Sequence, residues 1–98
     1  MGKVYKGQTD LTIEVTVNFD LTDFNSAVLI FKSPKGVEKI ANDTVVIDPI
    51  KGVLKFTPID NTFFNIVGEW KCWAKCVNEY GLISIGEPAN FYLYEEGN

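Results

Sequence analysis

The sequence predicts one all-β domain over residues 1–98: an immunoglobulin-like two-sheet antiparallel β-sandwich of seven or eight short strands. Apolar and polar residues alternate along several segments, which is the pattern of strands with one buried face. Glycine, proline, asparagine and aspartate separate these segments at intervals of about eight to twelve residues, as in sandwiches and small barrels. No segment has the longer repeat of an amphipathic helix. A chain of 98 residues has the length of a single domain.

The first half of the chain contains the clearest strand. Residues 11–19 place Leu, Ile, Val, Val and Phe at odd positions and Thr, Glu, Thr and Asn at even ones, so the odd positions are predicted to face the core. The apolar run at 27–32 predicts a central strand that is covered on both faces. Residues 33–36, Ser-Pro-Lys-Gly, predict a hairpin turn that leads into a return strand over 37–41.

A second hairpin follows in the middle of the chain. Strands are predicted over 44–48 and 53–57, joined by the tight turn Asp-Pro-Ile-Lys-Gly at 48–52, whose glycine takes a positive φ. Residues 59–67 are less regular and predict a loop or a short 3₁₀ turn, with Asp60 as its cap. Three apolar side chains of this segment are predicted to plug one end of the sandwich: Phe63, Phe64 and Ile66.

Both cysteines fall on one predicted strand around residues 70–76. Its even positions are apolar and are predicted to face the core, whereas lysines occupy two of its odd positions. Cys72 and Cys76 are separated by roughly 13 Å if the strand is extended. A disulfide needs Cα atoms within about 7 Å. The two thiols are therefore predicted to be buried and unbridged, as suits a reducing compartment.

The last part of the chain predicts two more strands. Residues 78–81, Asn-Glu-Tyr-Gly, predict a hairpin turn, after which 82–85 pair back onto the preceding strand. Residues 86–88, Gly-Glu-Pro, predict a bulge or a kink. The closing strand, 89–95, places Phe91 and Leu93 on one face and two tyrosines on the other.

Composition argues against several classes of function. The chain carries nine lysines, no arginine, no histidine and a net charge of −4. An acidic chain without arginine predicts neither nucleic-acid nor membrane partners. The lack of histidine removes the commonest general base and the commonest metal ligand. The sequence therefore predicts a protein that is not an enzyme, with no cofactor and no catalytic, cofactor-binding or metal-binding residues.

Paired carboxylates are the remaining route to catalysis, as in glycoside hydrolysis. The candidate pairs lie in predicted turns or near residue 98: Asp20 with Asp23, Asp43 with Asp48, and Glu95 with Glu96. Acidic residues are common in turns because their side chains bond the local main chain. These pairs are therefore predicted to be solvated turn residues.

Three aromatic residues are candidates for an exposed surface. Trp73, Tyr92 and Tyr94 fall at outward positions of their strands and form the predicted interaction surface. A strip of exposed aromatic rings suits a protein interface or a platform for sugar rings. Alternatively, a neighbouring loop or strand covers these side chains.

Several motifs resemble those of tailed-phage virion proteins. Residues 45–57, Val-Val-Ile-Asp-Pro-Ile-Lys-Gly-Val-Leu-Lys-Phe-Thr, resemble the Asp-Pro-x-x-Gly hairpin of the N-terminal immunoglobulin-like domain of phage baseplate upper proteins. Residues 31–36, Phe-Lys-Ser-Pro-Lys-Gly, resemble the Lys-x-Pro-x-Gly hairpin of the same domain, and 68–70, Gly-Glu-Trp, resemble one of its strand starts. Residues 84–91, Ser-Ile-Gly-Glu-Pro-Ala-Asn-Phe, are similar to the ending of small tail and neck accessory proteins.

The resemblance covers residues 5–94 and implies a non-enzymatic structural protein of a phage particle, in the tail, neck or baseplate. It implies other virion proteins as partners and a homo-oligomer or repeated copies in an assembly. It also implies a location in the virion after assembly in the cytoplasm of the bacterial host. The family brings no catalytic residues to this chain. The alternative function is a small carbohydrate-binding module that uses the exposed aromatic residues.

Overall fold

The computed structural model describes residues 3–97, and this part of the chain forms nine β-strands and no helix. The strands are β1 (Val4–Tyr5), β2 (Ile13–Thr16), β3 (Phe24–Lys32), β4 (Glu38–Ala41), β5 (Val45–Asp48), β6 (Val53–Phe56), β7 (Gly68–Asn78), β8 (Ile83–Ile85) and β9 (Ala89–Tyr94). All of them except β1 and β8 contain at least four residues. Nothing in residues 3–97 provides a helix long and apolar enough to cross a lipid bilayer.

The strands form two sheets. The larger sheet has the order β1-β9-β7-β3-β4, and β8 pairs with β7 beside the start of β9. The smaller sheet has the order β2-β6-β5. All neighbouring strands are antiparallel except β1 and β9, whose parallel pairing aligns Val4 with Leu93 and Tyr5 with Tyr94. This division of the strands between two sheets confirms the predicted all-β sandwich.

The core lies between the two sheets and consists of side chains that alternation predicts to face inward. β7 contributes four side chains that are at most 2% exposed: Trp70, Cys72, Ala74 and Cys76. The smaller sheet contributes Leu54 and Phe56 from β6. Aromatic rings fill one end of the core, where the ring of Phe31 lies 5.5 Å from that of Phe56 and 5.2 Å from that of Phe64.

Some strand boundaries differ from those predicted. β1 is not among the predicted strands, because two residues are too short a run to show a period. β2 spans Ile13–Thr16 instead of 11–19, although burial alternates along the whole predicted segment. β3 begins at Phe24 because its pairing with β7 continues past an irregularity between Phe24 and Ser26. The faces that β2, β7 and β9 bury are the predicted ones. The prediction that β3 is covered on both faces is wrong for residues 3–97, because the smaller sheet packs on one side of it and no second layer lies over the other.

Residues 58–67 form bends and turns that close one end of the sandwich. Phe64 is buried, and Phe63 and Ile66 pack against the core, which confirms the predicted plug. Asp60 Oδ1 accepts a 2.9 Å hydrogen bond from the main-chain N–H of Thr62. This aspartate therefore caps a turn and not a helix. We call residues 58–67 the closing loop.

Lys39 on β4 fastens the closing loop to the larger sheet. Its Nζ donates hydrogen bonds to the carbonyl oxygens of Phe63 (2.5 Å) and Thr62 (3.1 Å), and to Asn65 Oδ1 (3.2 Å). The ammonium group also lies 5.4 Å from the centre of the Phe63 ring. Partial burial lowers the pKa of Lys39, whereas the carboxylate of Asp60 acts in the opposite direction.

The two thiols are buried on the core side of β7 and are unbridged, as predicted. Burial raises the pKa of Cys72 to about 12 and also raises the pKa of Cys76. Because the thiolate is the reactive form, two thiols that stay protonated at neutral pH are poor nucleophiles. Cys72 and Cys76 therefore act as small apolar core residues.

Candidate interaction surface

The three aromatic residues of the predicted surface all lie on the outward side of the larger sheet. Trp73 belongs to β7, and Tyr92 and Tyr94 belong to β9. Tyr92 is paired with Glu69, which shares its side of β7 with Trp73. Glu69 and Trp73 are nevertheless separated by roughly 13 Å along the strand. The tryptophan and the two tyrosines therefore belong to separate patches on one face.

The tyrosine patch lies at the edge of the larger sheet. The rings of Tyr92 and Tyr94 are 4.8 Å apart and inclined at 52°, and Tyr92 is 47% exposed. Tyr5 on β1 lies 6.4 Å from Tyr94, and Lys3 Nζ lies 4.8 Å from the centre of the Tyr94 ring. Rings inclined in this way do not form one flat platform, which is the arrangement that stacking on a sugar ring favours.

The tryptophan patch is larger and is built from three further strands. Trp73 is paired with Ile30 on β3, and Ile30 is paired with Ile40 on β4. On the other side of β7, two isoleucines of β8 are paired with Lys75 and Val77. We call this surface the outer face, and its apolar members are Val28, Ile30, Ile40, Trp73, Val77, Ile83 and Ile85.

Three of the seven apolar side chains of the outer face are exposed among residues 3–97, and Val28, Trp73 and Val77 are half-buried. Ile40 is 56% exposed, Ile83 56% and Ile85 61%. Ile30 is only 7% exposed although it lies outside the core cluster, since Trp73 and Ile40 flank it. Isolated exposed apolar side chains are ordinary, but a contiguous patch on one sheet face is typical of an interaction site.

Charged residues lie beside this patch and, at Lys75, within it, since Lys75 is paired with Val28 and Ile85. Lysines lie at three outward positions of β3 and β7: Lys32, Lys71 and Lys75. Two carboxylates share the face, Glu38 opposite Lys32 and Glu69 at the start of β7. The outer face therefore carries a small positive excess on a chain whose net charge is −4.

Sequence patterns did not identify the isoleucines of the outer face. In β8 the order Ile83, Ser84, Ile85 alternates in a way that by itself favours isoleucines facing the core. The structure reverses this orientation because Ser84 is paired with the inward-facing Cys76. The register of β8 on β7 decides which of its residues face outward. That register depends on the intervening turn and not on the alternation.

The acidic pairs considered from the sequence behave as turn residues where the structure shows their bonds. Asp20 Oδ1 accepts a 2.8 Å hydrogen bond from the N–H of Thr22, and bonds from Thr22 lower the pKa of Asp20. Asp48 Oδ1 accepts a 3.1 Å hydrogen bond from the N–H of Lys51. Within residues 3–97, no group of three or more cysteine, aspartate or glutamate side chains is arranged to hold a metal ion.

Comparisons with known proteins give no family assignment. No protein-family model matches the chain. No curated protein matches it at a significant level either.

Proposed function

We propose that this chain is a non-enzymatic structural protein of a phage particle, in the tail, neck or baseplate, that docks on other virion subunits through the outer face. The exposed apolar patch around Trp73 and Ile40 is the observation that carries the proposal, because an uncovered sheet face of this kind is typical of a protein interface. The resemblance of the 31–36 and 45–57 hairpins to phage virion domains supplies the biological setting.

The outer face has the size of about half a standard interface. Its four strands, β4, β3, β7 and β8, contain 4, 9, 11 and 3 residues. At about 3.3 Å per residue and a strand spacing of about 4.8 Å, they cover roughly 430 Å². An interface of standard size takes ~800 Å² from each partner. A stable contact with one partner therefore uses neighbouring surface in addition to the outer face.

Charge favours a partner whose contacting surface is acidic. A two-fold contact of the outer face with itself tends to bring lysines near lysines, which is unfavourable. The chain has nine lysines and thirteen acidic residues, and the outer face holds three of the lysines and two of the acids. The remaining surface thus carries six lysines and eleven acidic residues. Repeated copies that contact one another head to tail satisfy this requirement, as does an acidic virion subunit.

The first test asks whether the chain is part of the particle. We expect mass spectrometry of purified virions from the phage that encodes it to detect the chain in a fixed ratio to the other structural proteins. Neighbouring genes for portal, tail or baseplate proteins are also expected. A chain that is found only in the lysate and never in the virion contradicts the proposal.

The second test asks whether the outer face makes the contact. Ile40→Lys and Ile85→Lys each place a charge on the outer face, and Ile50→Lys places the same charge on a side chain that is 73% exposed in the turn between β5 and β6. We expect the first two variants to enter particles at least tenfold less well than wild type, and Ile50→Lys to enter normally. Equal incorporation of all three variants contradicts docking through this face.

A carbohydrate-binding module remains the alternative function, and the exposed ring of Tyr92 is the feature that favours it. A glycan array that compares wild type with Tyr92→Ala and Trp73→Ala separates the two functions. Binding by wild type that is lost in Tyr92→Ala supports the alternative. The absence of binding by wild type rejects it.

A further inference from the structure

A groove of about 380 Å³ opens between the two sheets, where β2 faces the beginning of β9. Leu11, Ile13 and Val15 line it on the side of the smaller sheet, and Cys72 and Phe91 line it on the side of the larger sheet. The side chains of the smaller sheet and Phe91 are only partly buried, although all pack against the core. The sandwich is therefore open along this side, and its opening is apolar.

A free strand edge borders the groove. β2 pairs with β6 on one side and with no other strand of residues 3–97 on the other. The N–H of Val17 donates a 2.8 Å hydrogen bond to Gly52 O on the β6 side. Because main-chain groups alternate in direction along a strand, the N–H and C=O of Glu14 point away from β6. The start of β9 is also uncovered, since β1 pairs only with Leu93 and Tyr94.

The existing partner of β2 shows which side chains match this strand. On β6, Lys55 lies opposite Glu14 and is exposed, whereas Leu54 and Phe56 flank it and are buried. A strand added on the groove side meets the same outward Glu14 and the same inward neighbours. The matching pattern is therefore a basic residue that faces solvent opposite Glu14, between two apolar residues that face the groove.

We propose that the groove accepts an extended segment of a partner protein, which adds a strand to the free edge of β2. The segment carries apolar residues at alternate positions and a basic residue between them. Its apolar side chains cover Phe91 and Ile13, which are only partly buried, and the charge of Glu14 selects the basic residue. This contact lies away from the outer face and extends the proposed function to a second surface, and its test does not require a virion.

The probe is a synthetic peptide with the sequence of residues 52–58, Gly-Val-Leu-Lys-Phe-Thr-Pro, because this pattern already pairs with β2. The peptide is titrated into the ¹⁵N-labelled full chain and followed by NMR. We expect amide shifts at 12–16 and at Phe91, with none at Ile40 or Ile85. A peptide with glutamate in place of its lysine is expected to bind about fivefold more weakly or worse.

Variants of Glu14 separate charge from main-chain pairing. Glu14→Lys is expected to bind the lysine peptide more weakly than wild type does. It is expected to bind the glutamate peptide at least as tightly as wild type binds that same peptide. Glu79→Lys, in the turn after β7, is expected to change neither affinity. Glu14→Gln and Glu14→Pro both remove the charge, but only proline also removes the N–H that points into the groove. We expect binding to be lost in Glu14→Pro and retained, about fivefold weaker, in Glu14→Gln, with both variants folded by circular dichroism.

Three results overturn the proposal. The first is the absence of shifts at 12–16 and Phe91 in the wild-type chain. The second is that the glutamate peptide fails to restore binding to the Glu14→Lys variant. The third is a wild-type chain that is dimeric without peptide and becomes monomeric in Glu14→Pro, since a second copy then occupies the free edge of β2. Should Glu14→Pro fail to fold, the binding of the glutamate peptide to Glu14→Lys decides alone.

Discussion

The indole N–H of Trp70 donates a 2.8 Å hydrogen bond to the carbonyl oxygen of Ile66. Trp70 is fully buried on β7, and Ile66 belongs to the closing loop. The ring of Phe64, from the same loop, meets the indole edge-on at 5.4 Å. A buried tryptophan requires a partner for its N–H. Trp70 and Lys39 thus both hold the closing loop against the larger sheet.

Trp70→Phe is expected to lower the free energy of unfolding by about 2 kcal/mol. The change leaves a small cavity in the core and removes the donor that satisfies the Ile66 carbonyl. Urea denaturation followed by circular dichroism measures the loss. Trp73→Phe, on the half-buried outer face, is the matched control and is expected to cost less than about 1 kcal/mol. Similar losses in the two variants show that the bond to Ile66 contributes little.

Lys39→Met tests how the closing loop is held from its other side. Methionine keeps much of the apolar stem but removes the three hydrogen bonds to Thr62, Phe63 and Asn65. We expect a loss of about 1–2 kcal/mol and faster amide hydrogen exchange at 60–66. Lys35→Met, in the exposed turn between β3 and β4, is expected to change neither quantity. An unchanged rate of amide hydrogen exchange at 60–66 in Lys39→Met means that Lys39 does not fix the position of the closing loop.

Gly52→Ala is expected to be the most damaging glycine-to-alanine substitution within residues 3–97. Gly52 has φ +72°, and a Cβ atom there meets Phe19 O at 2.7 Å and Val17 O at 2.8 Å. The strained φ alone costs about 1–2 kcal/mol, and displacement of the main chain at 17–19, just after β2, adds to it. Gly36 has φ +83° and no atom within 4 Å of such a Cβ. Thermal denaturation is therefore expected to show a clearly larger decrease in melting temperature for Gly52→Ala than for Gly36→Ala. Equal decreases mean that the main chain around Val17 moves aside at little cost.

The buried thiol of Cys72 predicts a loss of stability at high pH. The pKa of Cys72 rises from 9.0 to about 12 in the folded chain. Between about pH 9 and pH 12 the unfolded chain has released this proton and the folded chain has kept it. The contribution of Cys72 to the free energy of unfolding is therefore fully present below about pH 9. Above that pH it decreases by up to about 1.4 kcal/mol for each pH unit.

Cys72→Ala isolates this effect from the lysines and tyrosines that titrate in the same range. At pH 7 the variant is expected to be less stable than wild type, because it leaves a small cavity. In urea denaturation experiments, the difference in free energy of unfolding between wild type and Cys72→Ala is expected to become smaller between pH 9 and pH 11. A difference that stays constant over this range means that the folded thiol ionises as readily as the unfolded one.

Local patterns predicted most of the sandwich, and long-range pairing determined what they missed. Alternation in 11–19 and 70–76 was sufficient to assign the inward faces, because burial follows a period of two along any half-buried strand. β1 escaped detection because two residues show no period, and its pairing with β9 joins opposite ends of the sequence. The outer face escaped detection for a related reason. Ile40, Trp73 and Ile85 come from three strands, and only the pairing of those strands makes them neighbours.

The predicted interaction surface shows the same limit. Trp73, Tyr92 and Tyr94 were selected because each occupies an outward position of its strand, and the structure places all three on the outward side of one sheet. Their separation into two patches depends on the register of β9 on β7, which pairs Tyr92 with Glu69. A period of two assigns a side of the sheet but gives no position along it.

The uneven placement of charge gives the molecule an electric polarity. The outer face holds three lysines and two carboxylates, whereas the remainder of the chain holds six lysines and eleven carboxylates. Such a distribution turns an approaching acidic surface toward the outer face before the two proteins touch, which raises the rate of productive encounters. The rotation acts over about one Debye length, roughly 8 Å at physiological salt. For the docking proposed above, ionic strength is therefore expected to set the rate of association, and the apolar patch is expected to set the rate of dissociation.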